Sequence, residues 1–291
     1  MARAADWIRA SGGIPATRVL TRIWLALFGE WPWDDLPVMP PEMIYLPAWF
    51  PLNVYDWACW ARQTIVPLTI VCSLRPVRTL PIDLNELQVP ATGPAAQAGP
   101  AGFDGWSAVF GRLDRALHAY ERRGGRLAPV RAVRRAAIRR SAEWIIARQE
   151  RDGCWGGIQP PWVYSLIALD LMGYGLEHPV MRKGIEGMKR FTIDDAQGWR
   201  FLACMSPVWD TAWAVRVLAL ADFDAEHPAM RRAVDWLLRE QIPDDAPGDW
   251  RVKCKDGRGN GWAFEFDNDA YPDIDDTTIV VLALLEGGNR S

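Results

Sequence analysis

Histidine is scarce: three residues in 291, at His118, His178 and His227. Chemistry built on imidazole, whether proton transfer or metal binding, has little to draw on. The five cysteines (Cys59, Cys72, Cys154, Cys204 and Cys254) are scattered and form no CxxC pair. A zinc site of that spacing is not expected, and free thiols in a reducing compartment are the default. No apolar run is long enough to span a bilayer. The longest candidate, Thr64 to Leu74, is interrupted by Pro67. The N-terminus lacks the apolar stretch of a signal peptide. The net charge of −3 is small and both signs are mixed along the chain, which gives no reason to expect nucleic-acid binding. No convincing strand alternation is present.

What is abundant is tryptophan, 17 residues, and proline, 22. So many indoles exceed the needs of an ordinary core and point to aromatic walls or stacking repeats. Apolar residues make up 49% of the chain, enough for one large domain or two smaller ones. The pattern predicts a helix over Arg18 to Leu27, with Val19, Leu20, Ile23, Trp24 and Leu27 on its apolar side. A second is predicted from Asn53 to about Arg62, continuing in an apolar segment to Leu74. The stretch from Val89 to Gly105, small and proline-interrupted, reads as a linker. From Trp106 a helix carries Phe110, Leu113, Leu117 and Tyr120 on one stripe, flanked by arginines. That stripe suits a core or a membrane interface.

The second half repeats itself. AEWIIARQ (142–149) returns as VDWLLREQ (234–241), and EHPVMRKG (177–184) as EHPAMRRA (226–233). Turns ending at Trp155, Trp199 and Trp250 read as structural tryptophans of the repeat. Apolar helices follow at Trp162–Met172, Trp209–Ala221 and Asp275–Leu285. Paired helices of this kind cannot bury their faces alone, so they stack. The expected fold is all-α, an α/α toroid with inner helices around a cavity and outer helices around those.

Setting the inner helices side by side matches Trp209 with Asp275. An acid would then stand at a wall position that is otherwise aromatic. Glu265, Asp267, Asp269, Asp273, Asp275 and Asp276 crowd one short stretch. Carboxylates that close cannot all ionise, so a proton tends to be retained. An alkene is a poor base and needs a strong, positioned acid. A helix N-terminus would stabilise the carboxylate left behind. By spacing alone, an N-cap beside a solvated acidic loop and a hard-cation site remain open. The run fits neither an EF-hand nor a DDxxD pattern.

The segment GWAFEFDNDAYPDIDDTTIVVLALL (261–285) resembles the DxDD region of the squalene-hopene cyclase family. QERDGCW (149–155) is similar to its QxxxGxW repeat, and QIPDDAPGDW (241–250) to a looser form. GGIQPPW (156–162), SPVWDTAWAV (206–215) and PLNVYDWACWAR (51–62) also resemble that family. The resemblance implies an intramolecular transferase (an isomerase) that protonates squalene and closes it into hopene or hopanol. It implies Asp275 as the central acid, with Asp273 and Asp276 as its partners. Trp209 and Phe264 would be cation-stabilising aromatics, and Trp60 an aromatic toward the far end of the cavity. Ile158, Gln159 and Pro160 would form the wall where the last cation is quenched.

The resemblance further implies no cofactor and no metal, squalene as lipid substrate, and a monotopic seat on the cytoplasmic side of a bacterial membrane. The Trp106–Tyr120 helix and the Trp57–Thr64 region would lie there. A homodimer of the full-length enzyme is compatible with it. Residues 1–205 would belong to the inserted barrel domain, and 206–291 would begin the catalytic barrel. Family chains are about twice as long. The family's barrel pair also needs an N-terminal segment absent here, and a C-terminal half carrying the histidine that orients the acid would follow Leu285, so this chain alone is expected to be nearly inactive, with apolar inner-helix surface exposed. A cyclase of another polyprenoid, a glycan-processing toroid with two carboxylates and a non-catalytic helical scaffold are the competing readings.

Overall fold

The computed structural model describes residues 2–81, 84–89, 104–124 and 127–288, with the backbone alone at 104–108, 110, 123 and 124. Most of the predicted linker, and the Trp106 and Phe110 side chains, lie outside the described residues. Two compact units emerge: Met1–Pro40 with Val71–Ala136, and Pro41–Ile70 with Ala137–Ser291.

The first unit holds α1 (Ala2–Ala10), α2 (Val19–Leu27) and α4 (Asp104–Gly124). Helix α2 forms where the period predicts it, but its buried face is narrower. Ile23 and Leu27 are buried, whereas Val19 and Leu20 are exposed. A polar cluster ties α4 to its neighbours. Arg75 bonds Asp34 at 2.7 Å and Glu121 at 3.1 Å, and His118 Nε2 lies 3.1 Å from the Asp34 carbonyl.

Helices α3 (Cys59–Leu74) and α5 (Ala128–Ile146) contribute residues to both units. Helix α3 begins later than predicted. The Asn53 side chain accepts from Tyr55 N at 2.9 Å and caps a short 3-10 turn instead. The helix then runs through Pro67. Burial of Val66, Leu68 and Ile70 offsets the lost backbone bond.

The second unit is built on the repeat. At the first copy, Gln149 Nε2 donates to the carbonyls of Gly153 (3.2 Å) and Val180 (2.8 Å). The buried Trp155 indole donates to Ile145 O at 2.9 Å. Gly153 has φ +96°, and a Cβ there would sit 2.3 Å from Lys183 O, so only glycine fits this turn.

The second copy has the same geometry with a different tryptophan. Gln241 Nε2 donates to Asn260 O (3.0 Å), and the Trp262 indole donates to Leu237 O (2.6 Å). In both copies the accepting carbonyl lies four residues before the glutamine, and the residue after the glutamine donates to the one before the tryptophan. Trp262 is therefore the structural partner, not Trp250, and residues 242–261 are a long insertion within the turn. That insertion is anchored by Asp249, which takes a two-bond clamp from Arg148 (2.7 and 2.8 Å). Lys253 adds an ion pair to Asp56 at 2.6 Å.

The apolar helices form where the pattern predicts them. Helix α6 (Gln159–Leu171) packs with α7 (Pro179–Met188), while α8 (Pro207–Leu220) packs with α9 (Pro228–Arg239) and most extensively with α10 (Ile274–Glu286), which also meets α9. His178 and His227 are helix caps. Each accepts at Nδ1 from the backbone N–H two residues on, ahead of a proline at the first helical position. Val208, Ala212 and Val215 of α8 form one core with Met230, Val234 and Leu237 of α9 and Ile279, Val280 and Ala283 of α10, closed by Trp262.

One short two-stranded hairpin accompanies the helices of this all-α fold: β1 (Thr192–Asp195) pairs antiparallel with β2 (Gly198–Phe201). Four residues a side are too few to display an alternation in sequence. The hairpin is pinned by an Arg200–Asp195 fork of 2.7 and 2.8 Å. Trp199 stands on it 69% exposed, so it is not a buried repeat tryptophan. Among the described residues no helix is long and apolar enough to cross a membrane.

Candidate active site

The DIDD run forms the first turn of α10. Asp273 is the N-cap, and its Oδ1 accepts from Asp276 N at 2.8 Å. Trp262 fixes this turn from the other side. Its carbonyl accepts from Asp273 N (3.2 Å) and its N–H donates to Thr277 Oγ1 (3.0 Å).

The three aspartates sit in different surroundings. Asp276 is 2% exposed. Burial pushes its carboxyl up to about 8, helped by the charges of Asp273 and Asp275 and by a hydrogen bond to Asp273. Asp273 is half-buried. Asp275 is exposed and heads an open stripe continued by Thr278, Val281, Leu282 and Leu285. Apart from Thr278 that stripe is apolar.

The predicted equivalence of Trp209 with Asp275 does not hold. The buried positions Val208, Ala212 and Val215 of α8 recur in α10 as Asp276, Val280 and Ala283. Asp276 thus takes a position held by valine in α8, and that is why it stays neutral. Trp209 is half-buried and packs against this core, its ring 6.0 Å from that of Trp213.

A cleft of about 330 Å³ opens beside the turn, lined by Cys59, Trp60, Gly156, Ile158, Phe264, Asn268 and Asp273. It joins the start of α3, the entry to α6 and the segment before α10. Trp60, Ile158, Phe264 and Asp273, four of the nine residues singled out in the sequence, meet there. Gln159 and Pro160 open α6 next to it without lining it, and Gln159 N donates to Ala203 O at 2.8 Å. Asp275, Asp276 and Trp209 do not line it. Cys59, Gly156 and Asn268 were missed in the sequence. Asn268 is buried with its Oδ1 unpartnered, a feature no spacing reveals. Burial raises the Cys59 thiol to about 12, which keeps it protonated and non-nucleophilic.

The acidic crowd is not one cluster. Asp267 pairs with Arg151 at 2.8 Å. Glu265 turns toward Glu150 and Asp152, and its carboxyl is raised to about 7 by burial and then by the charge of Asp152.

Comparison with known proteins completes this picture. The model of the squalene-hopene cyclase N-terminal domain matches residues 1–197, and that of the C-terminal domain residues 205–289. The chain belongs to the squalene-hopene cyclase family. Within it, the chain is 45% identical to a squalene–hopene cyclase of Alicyclobacillus acidocaldarius over 286 residues, 98% of this chain and 44% of that one. It is 40% identical to a squalene hopane cyclase of Aspergillus fumigatus (97% and 39%) and 37% to a dammaradiene synthase of Dryopteris crassirhizoma (97% and 40%). The chain thus spans under half the length of these relatives. Its helix-pair construction is that of the α/α toroid of squalene-hopene cyclases.

Proposed function

We propose that this chain carries the proton-delivering end of a squalene-hopene cyclase. A carboxyl of the DIDD turn gives its proton to a terminal double bond of squalene, and the tertiary cation so formed is attacked in turn by the next double bonds. The final cation loses a proton or takes up water. Asp275 is the donor in this reading. The observation that supports a proton source at this turn is that Trp60, Ile158 and Phe264 line one cleft with Asp273, the cap of the helix on whose first turn Asp275 stands.

Each part then has a physical task. Asp275 heads an apolar stripe, so the olefin meets the acid on a greasy surface. Asp276, neutral and buried, adds no second negative charge beside the donor. The N-terminus of α10 stabilises the carboxylate after transfer. Aromatic faces at Trp60, Phe264 and Trp209 attract a cation without offering it a nucleophile. Excluding water lets the cation survive successive ring closures.

Residues 206–291 would begin the catalytic barrel, and the earlier residues would belong to the inserted one. Squalene must be collected from lipid. The exposed Trp49, Phe50 and Leu52 suit a monotopic seat on the cytoplasmic face of a bacterial membrane. The test supplies the remaining length from the Alicyclobacillus relative as a fusion in which this chain replaces the matched 44% of that protein, with squalene in detergent micelles and chromatographic product analysis. A polycyclic C30 product is expected from the fusion and almost none from this chain alone. A folded fusion that leaves squalene unchanged refutes the reading.

A further inference from the structure

A second constellation lies in the first repeat turn, apart from the cleft. Glu150, Asp152 and Cys154 alternate along that turn, and Glu265 reaches in from the segment before α10. One ligand atom from each lies within 4.8 Å of the others. Tetrahedral zinc with oxygen and sulfur ligands requires separations of roughly 3.3–3.6 Å, about 1 Å closer.

Three features single this group out from an ordinary acidic patch. Glu265 is 4% exposed, and its Oε1 has no hydrogen-bond partner. The arrangement is built around a glycine: Gly157 has φ +65°, and a Cβ there would stand 2.7 Å from Glu265 Cγ. Among the described residues, neither Glu150 nor Glu265 has a cationic side chain within ion-pair distance. Only Asp152 has one, Arg190 at 3.5 Å. Buried carboxylates without a counter-charge carry a large desolvation cost.

The ligands are already oriented by the backbone. Glu150 accepts from Gly156 N at both oxygens (2.9 and 3.0 Å), Asp152 Oδ1 from Cys154 N (2.8 Å) and Cys154 Sγ from Gly157 N (3.2 Å). We propose that Glu150, Asp152, Cys154 and Glu265 form a structural site for a divalent transition cation of the zinc type. A thiol among three carboxylates favours zinc over calcium, which takes six to eight oxygens. Binding would release the Cys154 thiol proton and any proton held between Glu150 and Glu265. The cation would cross-link the repeat turn to the segment that carries Phe264.

The test uses this chain with the two exposed thiols removed (Cys204→Ser and Cys254→Ser) and stripped by a chelator. Zinc is titrated against a competing chromogenic chelator, and cobalt(II) is used for spectroscopy. One zinc per chain is expected, with affinity at least tenfold weaker in Glu265→Gln. Cobalt should give a near-ultraviolet sulfur-to-metal band that Cys154→Ser abolishes. Circular dichroism checks the fold of each variant. If Glu265→Gln does not fold, the cobalt band and its loss in Cys154→Ser decide alone. No stoichiometric zinc and no cobalt band would overturn the site and leave a shared carboxyl proton as the sole occupant. Calcium bound in place of zinc would overturn it as well.

Discussion

Asp273 and Trp262 are paired through their backbones, Asp273 N donating to Trp262 O at 3.2 Å, while the Trp262 indole donates to Leu237 O. One residue thus joins the end of α9 to the cap of the acid helix. The repeat tryptophan, structural by origin, here also sets where the DIDD turn stands.

Trp262→Ala should therefore be costly, about 3–5 kcal/mol of stability by the usual scale for a buried aromatic. Trp155→Ala should cost a similar amount, and the exposed Trp199→Ala less than about 0.5 kcal/mol. Trp250→Ala, in the insertion, should fall well below Trp262→Ala. Urea denaturation of the four variants checks the ranking. A larger loss at Trp250 than at Trp262 would restore Trp250 as the repeat residue.

Stability should fall as pH rises through neutrality. The Asp276 carboxyl moves from an ordinary 3.8 to about 8 in the fold. Between these values the folded chain holds a proton that the unfolded chain has lost, so raising the pH favours unfolding. The contribution is complete below about pH 4 and gone above about pH 8. The difference in melting temperature between the parent and Asp276→Asn, followed from pH 4 to 8, should shift toward the variant with increasing pH. A constant difference would show that Asp276 ionises normally.

The insertion at 242–261 depends on the largely buried Asp249. Arg148 grips it with two bonds, and Arg62 stands 3.9 Å away. Removing the carboxylate leaves two buried guanidinium groups uncompensated. Asp249→Ala should cost about 3 kcal/mol, with earlier proteolytic cleavage within the insertion. Denaturation and limited proteolysis measure both.

The apolar helices and the first repeat turn were legible in the sequence because each depends on residues close together in the chain. The second turn was misread because Trp250 comes first after Gln241, whereas the contact that matters is made after twenty residues of insertion. The hairpin at Thr192–Phe201 was too short to announce itself. In the site, the acidic run pointed to Asp273, and the family resemblance to Trp60, Ile158 and Phe264. The register of α10 against α8 did not follow from likeness of letters, since burial, not side-chain kind, is what repeats between them. The division of six carboxylates into separate groups depends on which cations and turns face them, and only the folded chain shows that.

The central claim is that Asp275 delivers the proton. The most direct measurement is the rate of squalene consumption by the fusion carrying Asp275→Asn, beside the fusion with the natural residue, both checked for folding. A loss of about a thousandfold, in the range for removal of a general acid, is predicted. Turnover within a few-fold of the parent would contradict it and move the proton to another carboxyl of the turn.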